Sequence, residues 1–580
     1  MHRRDVLHMF TAAALAGVMP RSLARAAEAN DLYAVGRFGN ARVLHMTDTH
    51  AQLTPVHFRE PSVNIGIGAM RGRPPHIVGD AFLEHFGIAP GTREAHAFTC
   101  LDYTDAAQKF GKLGGFAHLK TLIDRLRAET PDAILLDGGD LWQGSGLADA
   151  LKGADMVEAA NLLGIEAMAS HWEFTYGEER LRENLKNFKG EFLAQNVFLT
   201  EEAAFNDRPA FDSASGRVFK PAIVREIGGY RIGIIGQAFP YVPVAHPKRF
   251  TPDWTFGIRD ADMQKLVDDL RLKEKVDAVL LLSHNGMDVD LKLASRVSGI
   301  DVILGGHTHD AVPQPLTISN PGGKTLVTNA GSSGKFLGVL DLELIKGAVK
   351  NVRYRLLPVY SGLLKPDPTM AALIDRLRKP YAQKFNETLA LAGDLLYRRG
   401  NFNGPMDQLI CDCLREELDA ELALSPGFRW GNTLLPGEPI MMDDVLSETA
   451  MTYPQVYVQE MTGTQLKDVM EDICDNLFNP DPYYQQGGDM VRIGGMDYAC
   501  APNESIGKRI SGMTLDSGKP LEPSRTYKVA GWASVNPQEG KPVSDVFAGW
   551  LRKQKTVRPK RLNRVALKGL GNNPGLADVG

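Results

Sequence analysis

The sequence predicts a layered α/β domain followed by a second domain of different texture. Between residues 42 and about 360, short apolar runs alternate with amphipathic stretches. Several of those runs are followed at once by Asp or His, as active-site residues follow buried strands. Near residues 364–370 the alternation lapses into a Pro-containing stretch, and a new pattern begins. A chain of 580 residues is also too long for one core.

The N-terminus reads as an export signal. Arg3-Arg4-Asp5-Val6-Leu7 has the twin-arginine pattern, an apolar stretch covers residues 9–19, and Ala24-Arg25-Ala26 is an A-x-A cleavage site. The apolar run is too short to span roughly 30 Å of hydrocarbon. The expectation is a periplasmic protein, cleaved near Ala26 and not integral to the membrane.

Strands are predicted at 41–46, 133–136, 167–169, 232–235, 278–282 and 302–304, where the apolar runs are short and bounded by turn residues. Helices are predicted at 116–127, 156–163, 261–270 and 288–297, from apolar residues at helical spacing. A helix over 371–388 is expected to link the two domains. Beyond it, helices at 406–418 and 464–477 and strands at 455–461, 512–515 and 526–531 outline the second domain. The expected boundaries are a signal at 1–26, a catalytic domain at 27–370, a linker helix at 371–394, a second domain at 395–567 and a flexible tail at 568–580. The stretch 54–100 has no clear period and holds His57, His76, His85 and His96. Such a long irregular excursion is more often functional than idle, although each His has a plain loop reading.

Composition excludes some functions. Hydrophobic residues make up 43% and charged residues 23%, and the net charge of −5 gives no global case for nucleic-acid binding. The basic run at 552–564 reads as a solvated terminus. Five cysteines, Cys100, Cys411, Cys413, Cys474 and Cys500, are too sparse for a disulfide framework and read as buried thiols.

The chemistry lies in five motifs: Asp48-Thr49-His50, Gly138-Gly139-Asp140, Ser170-His171-Trp172-Glu173, Ser283-His284-Asn285 and Gly305-Gly306-His307-Thr308-His309. Asp and His in this mix are ligands of hydrolytic two-metal centres. At a strand end, residues i and i+2 point the same way, which would let Asp48 and His50 reach one ion. His307 and His309 form a similar pair. Asp140 follows two glycines, and its two oxygens can bridge two cations. A lone His at a strand end is usually a satisfied core residue; the ordered set carries the reading.

This set resembles the calcineurin-like metallophosphoesterase superfamily and, within it, the exported 5′-nucleotidases. Gly138 to Gly144 resembles that family's Gly-Asp block, and Lys112 to Ala117 its first helix start. The resemblance implies a four-layer metallophosphoesterase-like β-sandwich flanked by helices. A linker helix would join it to a C-terminal α+β substrate-binding domain of the 5′-nucleotidase type. It also implies two ions, one held by Asp48, His50, Asp140 and His309, the other by Asp140, His171, His284 and His307.

The third motif departs from the nucleotidase pattern G-N-H-E-F-D-Y-G. Here Glu173, Phe174, Tyr176 and Gly177 fix the register, so His171 falls at the ligand position and Trp172 at that of the catalytic His. An alkoxide leaving group needs a proton near neutral pH. A thiolate does not, since a thiol's pKa is only about 8.5. The block Gly487-Gly488-Asp489-Met490-Val491-Arg492-Ile493-Gly494-Gly495, with His171 to Gly177, resembles the SoxB family of sulfate thiohydrolases. That resemblance implies two manganese ions and a cysteine S-thiosulfonate substrate on the C-terminal arm of the SoxYZ carrier. Water activated by the ions would attack the terminal sulfonate, releasing sulfate. Asp140, His171, Trp172 and Arg429 are the expected catalytic set, and Arg429, Trp172, Arg492 and Tyr176 the expected substrate contacts. The alternative enzyme is a periplasmic 5′-nucleotidase or another phosphoesterase. A metal-dependent anion-binding module without catalysis is the alternative of another class.

Overall fold

The computed structural model describes residues 32–577, so the predicted export signal lies outside the described residues. The N-terminal domain uses fourteen strands: β1 (Ala41–Met46), β2 (Ile134–Asp137), β3 (Ile165–Met168), β4 (Glu191–Phe192), β5 (Phe198–Leu199), β6 (Ala222–Ile227), β7 (Tyr230–Gln237), β8 (Trp254–Thr255), β9 (Ala278–Ser283), β10 (Val302–Gly305), β11 (Leu316–Asn320), β12 (Gly323–Asn329), β13 (Phe336–Ile345) and β14 (Ala348–Pro358). One six-stranded sheet has the order β14-β13-β1-β2-β3-β4, and the other β11-β12-β10-β9-β7-β6. β5 and β8 pair as a small ribbon.

Side-chain alternation explains why two sheets stack with helices outside. Val43 and Leu136 of the first sheet meet Leu280, Leu282 and Leu304 of the second in one buried cluster. Their neighbours Leu44 and Met46 point the other way, against helices Phe116–Glu129 and Ala154–Leu163. Val279 and Leu281 likewise pack on helices Asp260–Leu272 and Met287–Arg296. Both faces of both sheets are thus covered, as central parallel strands require. This is the four-layer α/β sandwich that the resemblance implied.

In the second domain, strands Val456–Thr462, Thr526–Trp532, Leu422–Ser425 and Arg492–Gly494 form one mixed sheet in that order. Ala423 faces helix Pro405–Glu417 on one side, while Leu422 and Leu424 face helix Gly463–Phe478 on the other. The architecture is mixed α/β throughout, in two domains. All five cysteines are buried and free.

Three expectations need correction. The predicted linker helix over 371–388 is broken: a helix at Pro368–Arg378 passes into a turn at Lys379–Tyr381 and a short helix at Ala382–Phe385. Pro380 causes the break, because it has no N–H for the ladder and clashes with the preceding turn. The tail expected to be flexible is docked where it is described, over residues 574–577. Val78 N–H donates to Pro574 O at 2.9 Å, Asn64 N–H to Gly575 O at 2.9 Å and Ala577 N–H to Ser62 O at 2.9 Å. The tail thereby supplies the backbone partners that the irregular stretch 54–100 lacks within itself. That stretch, read as one irregular excursion, also carries helices Gly79–Phe86 and Arg93–Phe98.

The same stretch is pinned to the sandwich by one cation. Lys335 has no exposed surface, and its Nζ donates to Glu60 Oε1 at 2.5 Å, Phe58 O at 3.1 Å and Ala97 O at 3.2 Å. Lys335→Met would leave a buried carboxylate and two carbonyls unmatched. The expected loss is about 3–5 kcal/mol of domain stability, read by chemical denaturation.

Candidate metal centre

All five motifs follow strands whose C-terminal ends meet at one edge of the sandwich: β1, β2 and β3 from one sheet, β9 and β10 from the other. The structure brings the seven Asp and His residues into two buried groups that share Asp140. One group is Asp48, His50, Asp140 and His309; the other is Asp140, His171, His284 and His307. Within each group the potential ligand atoms lie within 4.8 Å of one another. Asp140 Oδ2 is 3.1 Å from His284 Nε2, 3.4 Å from His171 Nδ1 and 3.5 Å from His50 Nε2. Asp48 Oδ1 is 3.3 Å from His309 Nε2.

The way Asp48 and His50 converge differs from the strand-end argument. Asp48, His50, Asp140, His307 and His309 have φ of 51°, 47°, 58°, 73° and 60°. They sit in left-handed turns beyond the strands, where strand alternation no longer applies. Left-handed backbone at non-glycine residues is strained and persists where the surroundings over-determine it. Gly139 shows how tight the packing is: a Cβ there would lie 2.8 Å from His284 Nδ1 and 3.0 Å from Ser170 N.

Glu173 over-determines two of the loops. Its buried carboxylate accepts the backbone N–H of His171 at 2.8 Å, Leu141 at 2.7 Å, Trp142 at 3.3 Å and Asp140 at 3.4 Å. Trp172 N–H donates to Asp140 Oδ1 at 2.7 Å, leaving Oδ2 for the histidines. On the opposite side, His307 N–H donates to both oxygens of Asp48 at 3.0 Å. His284 Nδ1 bonds Gly138 O at 2.6 Å and His50 Nδ1 bonds Gln143 O at 3.1 Å, so the Nε2 atoms face the cluster.

The donor set fits a pair of divalent cations. His171 Nδ1 and Nε2 and His284 Nε2 are buried without a hydrogen-bond partner, a costly state unless another group meets them. Burial lowers the pKa of His50, His171, His307 and His309, favouring the neutral, ligating imidazole. Burial acts on His284 too, but Asp140 and Asp48 outweigh it and raise its pKa to about 10. Burial opposes the charge of Asp140, yet His284, His171 and His50 hold it well below the usual carboxylate range.

A cavity of about 280 Å³ opens onto the cluster, with Asp140, His171, His307 and His309 at its base and Trp172, Phe428, Trp430 and Arg429 in its wall. Val244 and Val535, about half exposed, sit at its rim. Arg429 reaches the site from the second domain, donating to Gly488 O at 2.5 Å and His307 O at 3.4 Å and pairing with Asp489 at 3.3 Å. Trp172 meets Trp430 edge-on at 5.0 Å, and Trp430 stacks on His50 at 4.6 Å.

Two expected substrate contacts are not in the cavity. Arg492 has no exposed surface and is held by Asp489 at 3.1 Å and Asp407 at 3.4 Å. It acts through Asp489: burial would raise that carboxyl, but Arg429 and Arg492 outweigh burial and lower it, keeping a charged partner for Arg429. Tyr176 turns away from the site and donates to Trp142 O at 3.1 Å or Ala148 O at 3.2 Å. Of the histidines in stretch 54–100, none joins the cluster, and His76 pairs with Asp288 at 3.1 Å. Sequence reading passed over Trp430, which was visible in the Arg429 block, and Glu173, used there only to set register. It also passed over His246, buried 4.5 Å from the Trp172 ring, for which no motif gave a signal.

Comparison with known proteins agrees with this architecture. Residues 41–311 match the calcineurin-like phosphoesterase family and residues 395–540 the 5′-nucleotidase C-terminal domain. The chain belongs to the 5′-nucleotidase/calcineurin-like metallophosphoesterase superfamily. The solved structure of sulfate thiohydrolase SoxB from Thermus thermophilus is similar over 92% of this chain and 98% of its own, with 35% identity and a TM-score of 0.85. Trifunctional nucleotide phosphoesterase protein YfkN of Bacillus subtilis is 26% identical over 457 residues, 71% of this chain and 30% of the relative. The 5′-nucleotidase of Diplobatis ommata is 27% identical over 349 residues, 56% of this chain and 58% of the relative. The chain thus spans less than two thirds of the length of these curated relatives. Among the described residues, no helix is long and apolar enough to cross a membrane.

If Asp140 serves both groups, Asp140→Asn lowers metal content at both sites together, as elemental analysis would show. Glu173→Ala frees the backbone of two motif loops and should weaken metal affinity about 10–100-fold.

Proposed function

We propose that this protein is a sulfate thiohydrolase. It hydrolyses the terminal sulfonate of a cysteine S-thiosulfonate carried on the arm of a SoxYZ-type carrier. The reaction breaks the S–S bond to the sulfonate and forms an S–O bond from water. Sulfate leaves, the electron pair stays on the sulfane sulfur, and the carrier keeps a persulfide. When bound, two divalent cations supply Lewis-acid polarisation and a water acidic enough to attack near neutral pH. Asp140 would be the shared ligand, and manganese is the metal that the sequence resemblance favours. The twin-arginine motif supports a periplasmic site of action.

The observation that carries this reading is the wall at Trp172. By the register of the third motif, the indole takes the position that resembles that of the nucleotidases' leaving-group acid, and only 6% of the residue is exposed. The other candidate donor in the wall, the Tyr453 hydroxyl, is committed to Ala245 O at 2.7 Å, and burial raises its pKa. A thiolate-class leaving group needs no such acid. Arg429 supplies cationic donors for the sulfonate. The apolar cavity and its rim suit a small-residue peptide arm.

Nucleotide hydrolysis is disfavoured on separate grounds. Phe428 is stacked on Trp430 at 4.1 Å, and the Arg398 guanidinium lies 3.8 Å from the Phe428 centroid. Both faces of that ring are taken, so it offers no platform for a base.

Metal-loaded protein should release sulfate from a carrier-bound thiosulfonate and leave nucleoside monophosphates nearly untouched. Rapid turnover of AMP without sulfate release would sink the proposal. Trp172→His restores an imidazole at the wall, and sulfate release should not rise. A rate gain there would mean that the departing group needs a proton after all.

A further inference from the structure

A second cavity, of about 60 Å³, lies beyond His307. The two cavities share His307, Arg429, Asn476, Gly487 and Gly488 as a common wall. The wall is thin. A Cβ on Gly487 would fall 2.0 Å from His307 Nε2, so the strand of backbone lies directly on the imidazole. Gly487 and Gly488 have φ of +76° and +80°, a path that side chains would resist. Arg429 fastens this strap, since one guanidinium bonds Gly488 O on the strap and His307 O on the metal loop.

The second cavity differs in chemistry from the apolar one. Arg399 lines it, is 6% exposed, and has a buried Nε without a hydrogen-bond partner. The carboxylates in the same wall are already matched. His76 holds Asp288 at 3.1 Å and Asp310 accepts from Asn64 at 3.1 Å, while Arg399, 4.0 Å from Asp310, keeps its Nε without a partner. Two guanidinium groups therefore meet in a small polar chamber beside the metal cluster, which is the recognition chemistry of an oxyanion. A water needs roughly 10–15 Å³, so a chamber of about 60 Å³ admits a tetrahedral anion and no peptide.

The geometry points to a product-anion site and exit: the tetrahedral oxyanion formed at the cluster passes Arg429 into the chamber behind Gly487-Gly488, while the thiol-bearing peptide stays in the apolar cavity. This rests on the reading of the site as sulfate-releasing. It removes a steric conflict, because a peptide filling the first cavity would trap the anion beneath it. The anion also competes with Gly488 O for the same guanidinium N–H, so the product itself loosens the strap. No covalent bond changes in this step.

The test is calorimetric titration of metal-loaded protein with inorganic sulfate and, separately, inorganic phosphate. The apolar cavity is first filled with a glycine-flanked peptide whose cysteine is S-methylated. Sulfate is expected to bind with the peptide in place. Arg399→Gln should weaken that binding at least about tenfold, and Arg399→Lys less than that, since an ammonium keeps the charge but loses the planar fork. Leu477→Trp fills the chamber without removing charge and should weaken it as well. Phosphate binding beside sulfate would support an oxyanion site, as would sulfate binding alone. Exclusion of both ions by the peptide would overturn the inference. So would full sulfate affinity in Leu477→Trp, which decides the matter if Arg399→Gln loses metal or melts early. None of these readouts needs turnover, so a failure of the proposed reaction would show separately, as absent sulfate release.

Discussion

One buried carboxylate organises the centre. Glu173 collects backbone N–H groups from the loops that follow β2 and β3, and by doing so fixes where Asp140 and His171 stand. A carboxylate that accepts this many N–H groups is a strong anchor, because each donor left alone in a dry interior would cost about 1–3 kcal/mol. Burial still raises its pKa, with Asp140 adding to the effect, so the anchor is matched rather than relaxed. On the other sheet the buried Asp290 accepts from Ser283 Oγ at 2.7 Å and Asn285 Nδ2 at 2.9 Å, but it collects side-chain donors of one motif only. The Asp48 carboxylate, which follows β1 of the first sheet, reaches across to the loop after β10, meeting the cluster and holding the His307 backbone. The two halves of the sandwich are thus joined across their edge by side chains that are themselves candidate ligands.

The second domain closes the site with cations and aromatic rings. Arg429 touches the metal loop and the glycine strap, and Asp489 keeps it oriented with support from Arg492. Trp430 leans on His50, so the wall of the cavity and one candidate ligand are packed as a unit. The cavity wall and the candidate ligands are consequently coupled through contacts between domains.

Much of this was legible in the chain. The seven Asp and His residues could be found because each follows an apolar run, and the strand runs 41–46 and 278–282 are nearly the observed elements. Partition of the ligands into two groups came from family resemblance, and spacing alone could not have supplied it. Arg492 and Tyr176 were misplaced because a motif gives order along the chain and not direction in space. The break at Pro380 is readable in the chain, because a proline lacks the N–H that a helix interior needs. The docking of residues 573–577 onto residues 62–78 was not readable, since it depends on backbone groups whose partners are some five hundred positions away.

The left-handed turns under Asp48, His50, Asp140, His307 and His309 restrict this centre in a second way. Asp, Asn and His are the non-glycine residues that accept positive φ most readily, and they are also oxygen and nitrogen donors to divalent metals. Glutamate could ligate equally well but would sit badly on such a backbone; glycine would sit well and bind nothing. Each position therefore passes two filters at once, one conformational and one chemical. The vocabulary left over is about three letters long, so drift at these sites should trade imidazole for carboxylate or carboxamide and little else.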